Sequence, residues 1–313
     1  MRVLVTGGAG FIGSSLVHAL IAGGDTVAVV DDLSTGTVAN LHPAASFRSL
    51  DVLDPALAQV MADFAPEAVV HLAAQTDVQR SIADPERDRA VNVDGTVAVA
   101  RAAAAAGARV MLSASSAAVY GDPETLPILE TAPKRPINPY GASKLAAESA
   151  LAQALAGTGV DFACMRFANV YGPRQDWRGE GGVVAILGAK FAAEERPIIF
   201  GDGTQTRDFI YVGDVVAFIL EALDAEAPLA GGSPDGPAYN VSTGTATSVE
   251  QVASYLRALS GVLVGIDHEP AREGDIRHSV LDPTKAAALN WRAAQPIESG
   301  LAITWRWLSA NLR

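Results

Sequence analysis

The sequence predicts an α/β protein in which a doubly wound parallel sheet is followed by a smaller C-terminal α/β domain. In the first half of the 313 residues, short apolar segments of strand length alternate with segments of helical length, the pattern of a parallel sheet with helical crossovers. Several strand segments are apolar almost throughout, as expected when helices cover both faces of a sheet. After Gly172-Pro173 the alternation loosens, which indicates that a second domain begins there.

The elements are predicted from these patterns in chain order. The first domain comprises residues 1–168, completed by part of 208–243, and the second comprises residues 169–313. Strands are predicted at 2–6, 26–31, 46–50, 68–72, 109–114 and 161–167, with short strands near Ile198 and Tyr239. Helices are predicted at 14–22, 55–64, 88–106, 140–156, 183–193, 215–223, 249–259 and 301–311, and a loop rich in Gly, Pro and Ser at 227–237.

The first strand runs directly into a glycine-rich turn, the most specific local signal of the chain. Gly7, Gly10 and Gly13 follow Val3-Leu4-Val5 and precede an amphipathic helix. A diphosphate can approach a helix N-terminus only where backbone N–H groups face it and no Cβ blocks the way. Gly7 and Gly10 can supply the turn and the open approach, and Gly13 lets the helix pack close to the sheet. In this strand–turn–helix context the spacing predicts a Rossmann-type dinucleotide site.

Acidic residues at the ends of the second and third strands extend this prediction. Asp31, 18 residues after Gly13, is placed to accept hydrogen bonds from the adenosine ribose hydroxyls. Its carboxylate would repel a 2′-phosphate, and no Arg or Lys follows it closely, so the sequence favours NAD over NADP. Asp51 is placed to meet the adenine amino group, and capping of the next helix is the alternative for this residue.

Composition excludes several function classes. The formal net charge of −12 argues against nucleic-acid and anionic-membrane partners, and an anionic ligand would need arginines gathered at its site. Cys164 is the single cysteine and lies in an apolar run, so no intrachain disulfide and no cysteine metal site are expected. Neither a signal-peptide pattern nor an apolar run of about 18 residues is present. We therefore expect a soluble cytoplasmic protein.

A tyrosine and a lysine four residues apart open the helix after Asn138-Pro139. Tyr140 and Lys144 share one helix face, where the lysine cation and the positive nicotinamide ring of NAD⁺ can lower the pKa of the phenol from its usual value of about 10. The strand at 109–114 leads into serines at the C-terminal edge of the sheet, where ligands bind in open α/β folds. Together these residues predict a site that oxidises alcohols, with exposed Tyr and Lys side chains as the alternative.

Motifs spread along the chain resemble the extended short-chain dehydrogenase/reductase family. The motifs of the first half are the turn at 6–13, His-Leu-Ala-Ala-Gln at 71–75, Ser-Ser-Ala-Ala-Val-Tyr-Gly at 115–121 and Tyr-Gly-Ala-Ser-Lys at 140–144. The motifs at 166–174, 201–208 and 272–277 are similar to its nucleotide-sugar branch, the NAD-dependent epimerases and dehydratases. Within that branch the likeness is greatest to the UDP-glucose 4-epimerases and the related UDP-glucuronate epimerases.

The resemblance implies a role for individual residues. Tyr140 would be the acid/base, Lys144 would hold the nicotinamide ribose, and Ser116 rather than its neighbour Ser115 would hydrogen-bond the sugar 4-oxygen. Asn92 would lie near the cofactor phosphates. The implied cofactor site comprises Gly7, Gly10, Phe11, Ile12, Gly13, Asp31, Asp32, Ser34, Asp51, Val52, Leu72, Ala73, Ala74, Gln75, Asn92, Tyr140 and Lys144. The implied substrate site comprises Ser116, Tyr140, Asn169, Arg178, Arg207 and Arg272, with Arg207 and Arg272 on the diphosphate of the nucleotide-sugar.

The implied reaction is NAD-dependent 4-epimerisation of a UDP-hexose through a transient 4-keto sugar. A 4,6-dehydratase is disfavoured, because Ala117-Ala118 stand where that branch carries an Asp-Glu pair. UDP-glucuronate 4-epimerase, another nucleotide-sugar 4-ketoreductase or decarboxylase, and a non-catalytic dinucleotide sensor remain alternatives. Arg80 and Arg178 could each recognise a uronate carboxylate or lie in solvent. The family also implies a homodimer formed through the helices at 88–106 and 140–156.

Overall fold

A computed structural model describes residues 1–178, 182–231, 235–271 and 276–312. Its strands are β1 (Arg2–Thr6), β2 (Thr26–Asp31), β3 (Ser46–Ser49), β4 (Ala68–His71), β5 (Val110–Ser116), β6 (Asp161–Phe167), β7 (Asn169–Tyr171), β8 (Ile198–Phe200), β9 (Thr206–Arg207), β10 (Phe209–Tyr211), β11 (Ala238–Val241), β12 (Thr247–Ser248), β13 (Asp267–Glu269) and β14 (His278–Ser279). Its α-helices are α1 (Phe11–Ala22), α2 (Leu57–Phe64), α3 (Val78–Ala83), α4 (Pro85–Arg89), α5 (Gly95–Ala105), α6 (Pro139–Leu155), α7 (Val183–Ala192), α8 (Val212–Leu223), α9 (Val249–Ser260), α10 (Thr284–Ala287) and α11 (Ile297–Asn311).

Seven parallel strands form the central sheet in the order β11-β6-β5-β4-β1-β2-β3. The strand order reverses between β1 and β4, so the carboxyl ends of these two strands diverge and leave a crevice. Helices α1 and α8 cover one face of the sheet, and α2, α5 and α6 cover the other. This arrangement confirms the predicted doubly wound α/β fold. The edge strand of this sheet, β11, comes from residues much later in the chain than β6, with which it pairs.

The predicted helix at 88–106 is interrupted in the structure. It begins earlier, at Pro85, where the Asp84 side chain accepts a hydrogen bond from the backbone N–H of Arg87. A π-helical turn, Ala90–Asp94, then separates α4 from α5. Such turns insert one extra residue into the helix and are frequent at functional sites. Here the turn directs the Asn92 side chain into the protein, where it is 2% exposed.

Three further helices begin three or four residues before their predicted first residues, because tertiary contacts stabilise an additional N-terminal turn. Helix α1 begins at Phe11 instead of residue 14, α8 at Val212 instead of 215, and α11 at Ile297 instead of 301. The added residues Val212 and Gly300 are buried. Helix starts depend on such contacts more than on the local pattern.

The smaller C-terminal part contains helices α7, α9 and α11, which pack on one another around buried apolar residues such as Leu187, Phe191 and Leu256. Short strands lie beside them in small sheets: β12-β9-β14, β13-β8 and β10-β7. Among the residues that the structure describes, no helix is both long enough and apolar enough to cross a lipid bilayer.

Candidate active site

A cavity of about 760 Å³ opens at the carboxyl edge of the central sheet. Its walls come from the ends of β1, β2, β4 and β5, from the start of α6, and from residues 167–178 after β6. It therefore lies at the strand-order reversal, where open α/β sheets bind their ligands.

The glycine-rich turn at one end of this cavity leaves no room for side chains. Gly7 has φ +71°, and a Cβ there would lie 2.6 Å from the backbone nitrogen of Ala73. A Cβ on Gly13 would lie 2.1 Å from the carbonyl oxygen of Gly7. Gly10 precedes α1 without a side-chain cap, so the first N–H groups of the helix face the cavity without a capping acceptor. This cradle fits the diphosphate of a dinucleotide.

Asp31 and Asp51 both line the cavity beside the turn. The Asp31 carboxylate accepts hydrogen bonds from the backbone N–H groups of Ala9 at 2.9 Å and Leu33 at 2.8 Å. Burial raises the pKa of Asp31, and these two hydrogen bonds oppose that rise. Asp51 accepts hydrogen bonds from the backbone N–H of Leu53 at 2.9 Å and from the Arg87 guanidinium at 3.0 Å. Together they hold its pKa below its usual value against the effect of burial. A negative group at Asp31 suits ribose hydroxyls and disfavours a 2′-phosphate.

Of the predicted cofactor residues, all but one line the cavity. They are Gly7, Gly10, Phe11, Ile12, Gly13, Asp31, Asp32, Ser34, Asp51, Val52, Leu72, Ala73, Ala74, Gln75, Tyr140 and Lys144.

Asn92 is the exception, because its amide is bound entirely to protein groups. Its Oδ1 accepts from the backbone N–H of Gln75, and its Nδ2 donates to Gln75 O, Asp88 Oδ1 and Ser143 Oγ. The expected position of Asn92 near the cofactor phosphates therefore stays a prediction. Asn92 fixes Gln75 in the cavity wall and joins it to α6 through Ser143.

His71, from the motif at 71–75, lies behind the cavity wall and is neutral. Burial lowers its pKa to about 3. Thr96 donates its hydroxyl hydrogen to the backbone oxygen of Asn92, so it accepts from Nε2 of His71 at 3.1 Å. Nδ1 then accepts from the Thr6 hydroxyl at 2.7 Å. These hydrogen bonds join Thr6 of β1 to His71 of β4, and His71 through Thr96 of α5 to the π-helical turn. They hold the floor of the cavity in place.

Tyr140, Ser116 and Lys144 meet at the other side of the glycine turn. Ser116 lies close enough to the Tyr140 phenol to influence its pKa, and its Oγ accepts from the backbone N–H of Ala118 at 3.1 Å. Lys144 Nζ donates to the backbone oxygen of Ala114 at 3.1 Å. Burial lowers the pKa of Lys144 to about 8, and Asp88 and Glu148 oppose this change. A buried ammonium thus lies where a ribose hydroxyl could accept from it.

The lowering of the Tyr140 pKa expected from Lys144 and the nicotinamide ring is not seen in the ligand-free chain, and for an occupied site it stays a prediction. Burial raises the pKa of the phenol, and Asp88 adds to the rise. The influence that opposes this rise in pKa comes from the Ser116 hydroxyl, not from the Lys144 ammonium. Tyr140 therefore carries its proton at neutral pH until a further positive charge enters the site.

The structure distinguishes the two neighbouring serines. Ser115 donates to Glu148 Oε1 at 2.5 Å, and the buried Arg166 donates to both oxygens of the same carboxylate at 2.9 and 2.6 Å. Ser115 thus anchors α6 to β5, which leaves Ser116 for the phenol. Successive turns of α6 thus face β5 through the side chains of Tyr140, Lys144 and Glu148.

Only some of the predicted substrate residues lie at the cavity. Asn169 and Arg178 line the cavity, whereas Arg207 does not: its guanidinium donates to the backbone oxygens of Thr206 and Arg277. Arg207 folds back along its own small sheet, so its predicted contact with a diphosphate stays a prediction. Arg272 lies outside the described residues.

Sequence reasoning missed several residues of the cavity wall, among them Arg174. It belongs to the motif at 166–174, but the sequence carries no local signal for its environment, because its contact partner Ser15 lies 159 residues away. Asp88 was missed for the same reason: only the fold brings it beside Gln75 and α6.

Comparisons with known proteins agree with this geometry. Residues 3–242 match the model of the NAD dependent epimerase/dehydratase family. The chain is 42% identical to the UDP-glucose 4-epimerase of Mycolicibacterium smegmatis over 311 residues, which cover 97% of both chains. It also superposes on a Thermotoga maritima UDP-glucose 4-epimerase solved with UDP-glucose (TM-score 0.93, 38% identity, 100% of both chains). A Thermus thermophilus UDP-glucose 4-epimerase solved with NAD gives a TM-score of 0.92 at 36% identity, over 99% of this chain and all of that one.

Proposed function

The chain belongs to the NAD dependent epimerase/dehydratase family, and we propose that it interconverts UDP-glucose and UDP-galactose by epimerisation at C4. The observation that carries this proposal is the meeting of Ser116, Tyr140 and Lys144 at the inner end of a cavity that fits a dinucleotide. From there the cavity continues to Asn169 and Arg178, where a nucleotide-sugar can enter. The full-length similarity to UDP-glucose 4-epimerases supports this sugar class over the uronate, ketoreductase, decarboxylase and sensor alternatives.

The cofactor would be held by the glycine turn and by Asp31. Bound NAD⁺ supplies a hydride acceptor for C4 and, once reduced, a hydride donor to the same carbon. Gly7, Gly10 and Gly13 leave backbone N–H groups open to its diphosphate, and Asp31 accepts from the ribose of its adenosine. Lys144 donates to the ribose on the nicotinamide side.

Tyr140 moves a single proton during the reaction. Its phenolate accepts the proton of the 4-hydroxyl as C4 is oxidised, and its phenol returns that proton to the 4-oxygen as C4 is reduced. Ser116 donates to the 4-oxygen and keeps it against the phenol. Because the pKa of Tyr140 is raised in the ligand-free chain, the base forms only when the ligand brings positive charge to the site. Proton abstraction is thereby tied to an occupied site.

Retention of the keto intermediate depends on the nucleotide. A 4-keto sugar must rotate to present its other face, so the site must bind the hexose loosely and the UDP firmly. Binding energy from the remote nucleotide then holds the intermediate until it is reduced. Asn169 and Arg178 line this end of the cavity, and we assign Asn169 to the substrate, with the exposed Arg178 in a weaker contact at the rim.

The reaction is tested by incubating the purified protein with UDP-glucose and no added cofactor and following UDP-galactose. We expect conversion by the wild type and a loss of about 10³-fold in kcat for Tyr140→Phe, since general acid–base catalysis contributes about 10²–10⁴-fold. Conversion by Tyr140→Phe at the wild-type rate would exclude Tyr140 as the base. A strict requirement for added NADPH would exclude epimerisation.

We also infer a homodimer formed through α5 and α6. These helices pack side by side on one face of the sheet, and their outer residues include the exposed Ala105, Ala142 and Ala146. Small side chains allow close approach of a second pair of helices. Light scattering should give twice the mass of the chain, and Ala142→Arg should return it to one copy.

A further inference from the structure

Arg174 stands apart from the other arginines of the cavity, although all four line its wall. Three have a carboxylate within ion-pair distance: Arg80, Arg87 and Arg178 contact Asp77, Asp51 and Asp176 at 3.8, 3.0 and 3.1 Å. Among the described residues, Arg174 has no such partner. Its one hydrogen bond is from Nη2 to the neutral Ser15 hydroxyl at 3.3 Å.

The environment of Arg174 is costly for an unpaired cation. The side chain is half-buried, and burial lowers the pKa of its guanidinium. Its Nε is buried and has no hydrogen-bond partner. The backbone has φ +71°, the left-handed conformation that favours glycine. Strain and an unsatisfied buried donor on one residue are typical of a group held ready for a ligand.

The position of Arg174 indicates which ligand group it meets. Ser15, its contact, donates to the backbone oxygen of Phe11 in the first turn of α1, so the guanidinium lies beside that turn. The start of α1 has no side-chain cap and borders the same cavity as Arg174. Uncapped N–H groups and a guanidinium without a carboxylate together suit a diphosphate.

We propose that Arg174 binds a diphosphate at the N-terminus of α1, namely that of the dinucleotide cofactor. Arg174 follows β7, outside the six strands β1 to β6. The chain after β6 thereby takes part in holding the cofactor, and the same segment lines the substrate end of the cavity through Arg178. In a protein of net charge −12, this guanidinium offsets the repulsion that a diphosphate meets on approach.

The test measures binding rather than turnover, because the proposed function enters only through the identity of the cofactor. Arg174→Gln removes the charge, Arg174→Lys keeps the charge without the fork of donors, and Arg257→Gln makes the same charge change on an exposed site of α9. For each variant, NAD content after dialysis is measured, together with the Kd for NADH by fluorescence and the Kd for UDP by calorimetry.

We expect Arg174→Gln to raise the Kd for NADH about 10- to 100-fold, the scale of one charge-assisted hydrogen-bond pair. Arg174→Lys should lie between it and the wild type, and Arg257→Gln should stay within twofold. The Kd for UDP should stay within threefold in all variants.

Two results would overturn the proposal. An NADH Kd within twofold of wild type in Arg174→Gln would exclude a diphosphate contact. A rise in the UDP Kd alone would assign Arg174 to the substrate diphosphate instead. If Arg174→Gln fails to fold, Arg174→Lys carries the same comparison. A wild type that binds NADH but does not convert UDP-glucose would refute the proposed reaction and leave the assignment of Arg174 standing.

Discussion

The two ends of the cavity are lined by different kinds of groups. The cofactor end consists of backbone and short side chains at the edge of a buried sheet, where Gly7 and Gly13 touch neighbouring backbone atoms. The substrate end is formed by residues after β6, where long side chains lie nearer solvent; the Arg178 side chain is 76% exposed. At the cofactor end, rigid backbone neighbours leave no space for an added methyl group. At the substrate end, the exposed side chains can change conformation to accommodate a substitution. Changes at the cofactor end should therefore have the larger effects.

The largest effect is expected for Gly13→Ala. The new Cβ would lie 2.1 Å from the carbonyl oxygen of Gly7, and neither backbone segment can move without distorting the turn. We expect loss of bound NAD and a decrease of about 3 kcal/mol or more in the free energy of unfolding. NAD content and urea denaturation measure the two effects.

Gly23→Ala is the matched control for that change. Gly23 caps the other end of α1 with φ −76°, and its nearest neighbour would lie 3.4 Å from a new Cβ. We expect no loss of NAD from this variant. Equal NAD content in Gly13→Ala and Gly23→Ala would show that the turn is not the rigid cradle described above.

The adjacent serines should separate catalysis from stability. Ser116→Ala removes the hydroxyl beside the Tyr140 phenol, and we expect kcat to fall about 10²-fold with unfolding free energy nearly unchanged. Ser115→Ala instead leaves the buried Glu148–Arg166 pair without one donor, which should lower the free energy of unfolding by about 1–3 kcal/mol and kcat by less than tenfold. Steady-state kinetics and denaturation on both variants test this. The reverse ranking in kcat would mean that Ser115, not Ser116, faces the sugar.

The affinities of the two ends of the cavity for their ligands should depend differently on pH. The pKa of Lys144 is lowered to about 8, so its ammonium is present below that pH and is lost as the pH rises through it. NADH affinity should therefore weaken several-fold between pH 7 and pH 9. Arginines keep their charge over this range, so UDP affinity should change little.

Lys144→Met provides the control for the pH prediction. It should bind NADH more weakly at pH 7 and show no further weakening toward pH 9. A slope retained in Lys144→Met would assign the titration to another group.

The smallest effect is expected for Arg178→Gln. Its guanidinium is exposed and already contacts Asp176 at 3.1 Å, and such surface pairs contribute about 0–1 kcal/mol. We expect the KM for UDP-glucose to change by less than about threefold. A tenfold rise in KM would mean that the substrate end is ordered by its ligand and is less adaptable than its exposure suggests.

Much of the cofactor end could be predicted from the sequence, because its parts are close along the chain. The glycine turn, Asp31 and the Tyr140–Lys144 pair each lie within one strand–turn–helix or one helical turn. Their relative positions are set by local geometry, and the structure places them all at the cavity. Strand bounds were predicted well for the same reason: a buried parallel strand is a continuous apolar run.

Contacts between segments distant in sequence could not be predicted from these patterns. The resemblance placed Asn92 at the phosphates, but the π-helical turn directs its amide into hydrogen bonds with Gln75 and Ser143. Arg207 was expected on the diphosphate, yet its guanidinium donates to the backbone of its own strand and of Arg277. Neither outcome follows from residue type or spacing, because each depends on segments that pack only in the folded chain.

The sequence by itself determined the fold class, the glycine cradle with its preference for NAD, and the pair of groups on one face of α6. Tertiary structure alone decided which serine meets the phenol, how burial shifts the pKa values of Tyr140 and Lys144, and which arginine lacks a carboxylate partner. The physical reason is the range of the forces involved. Backbone sterics and helical periodicity act between near neighbours in sequence, whereas desolvation and ion pairing depend on every group that folding brings within a few ångströms.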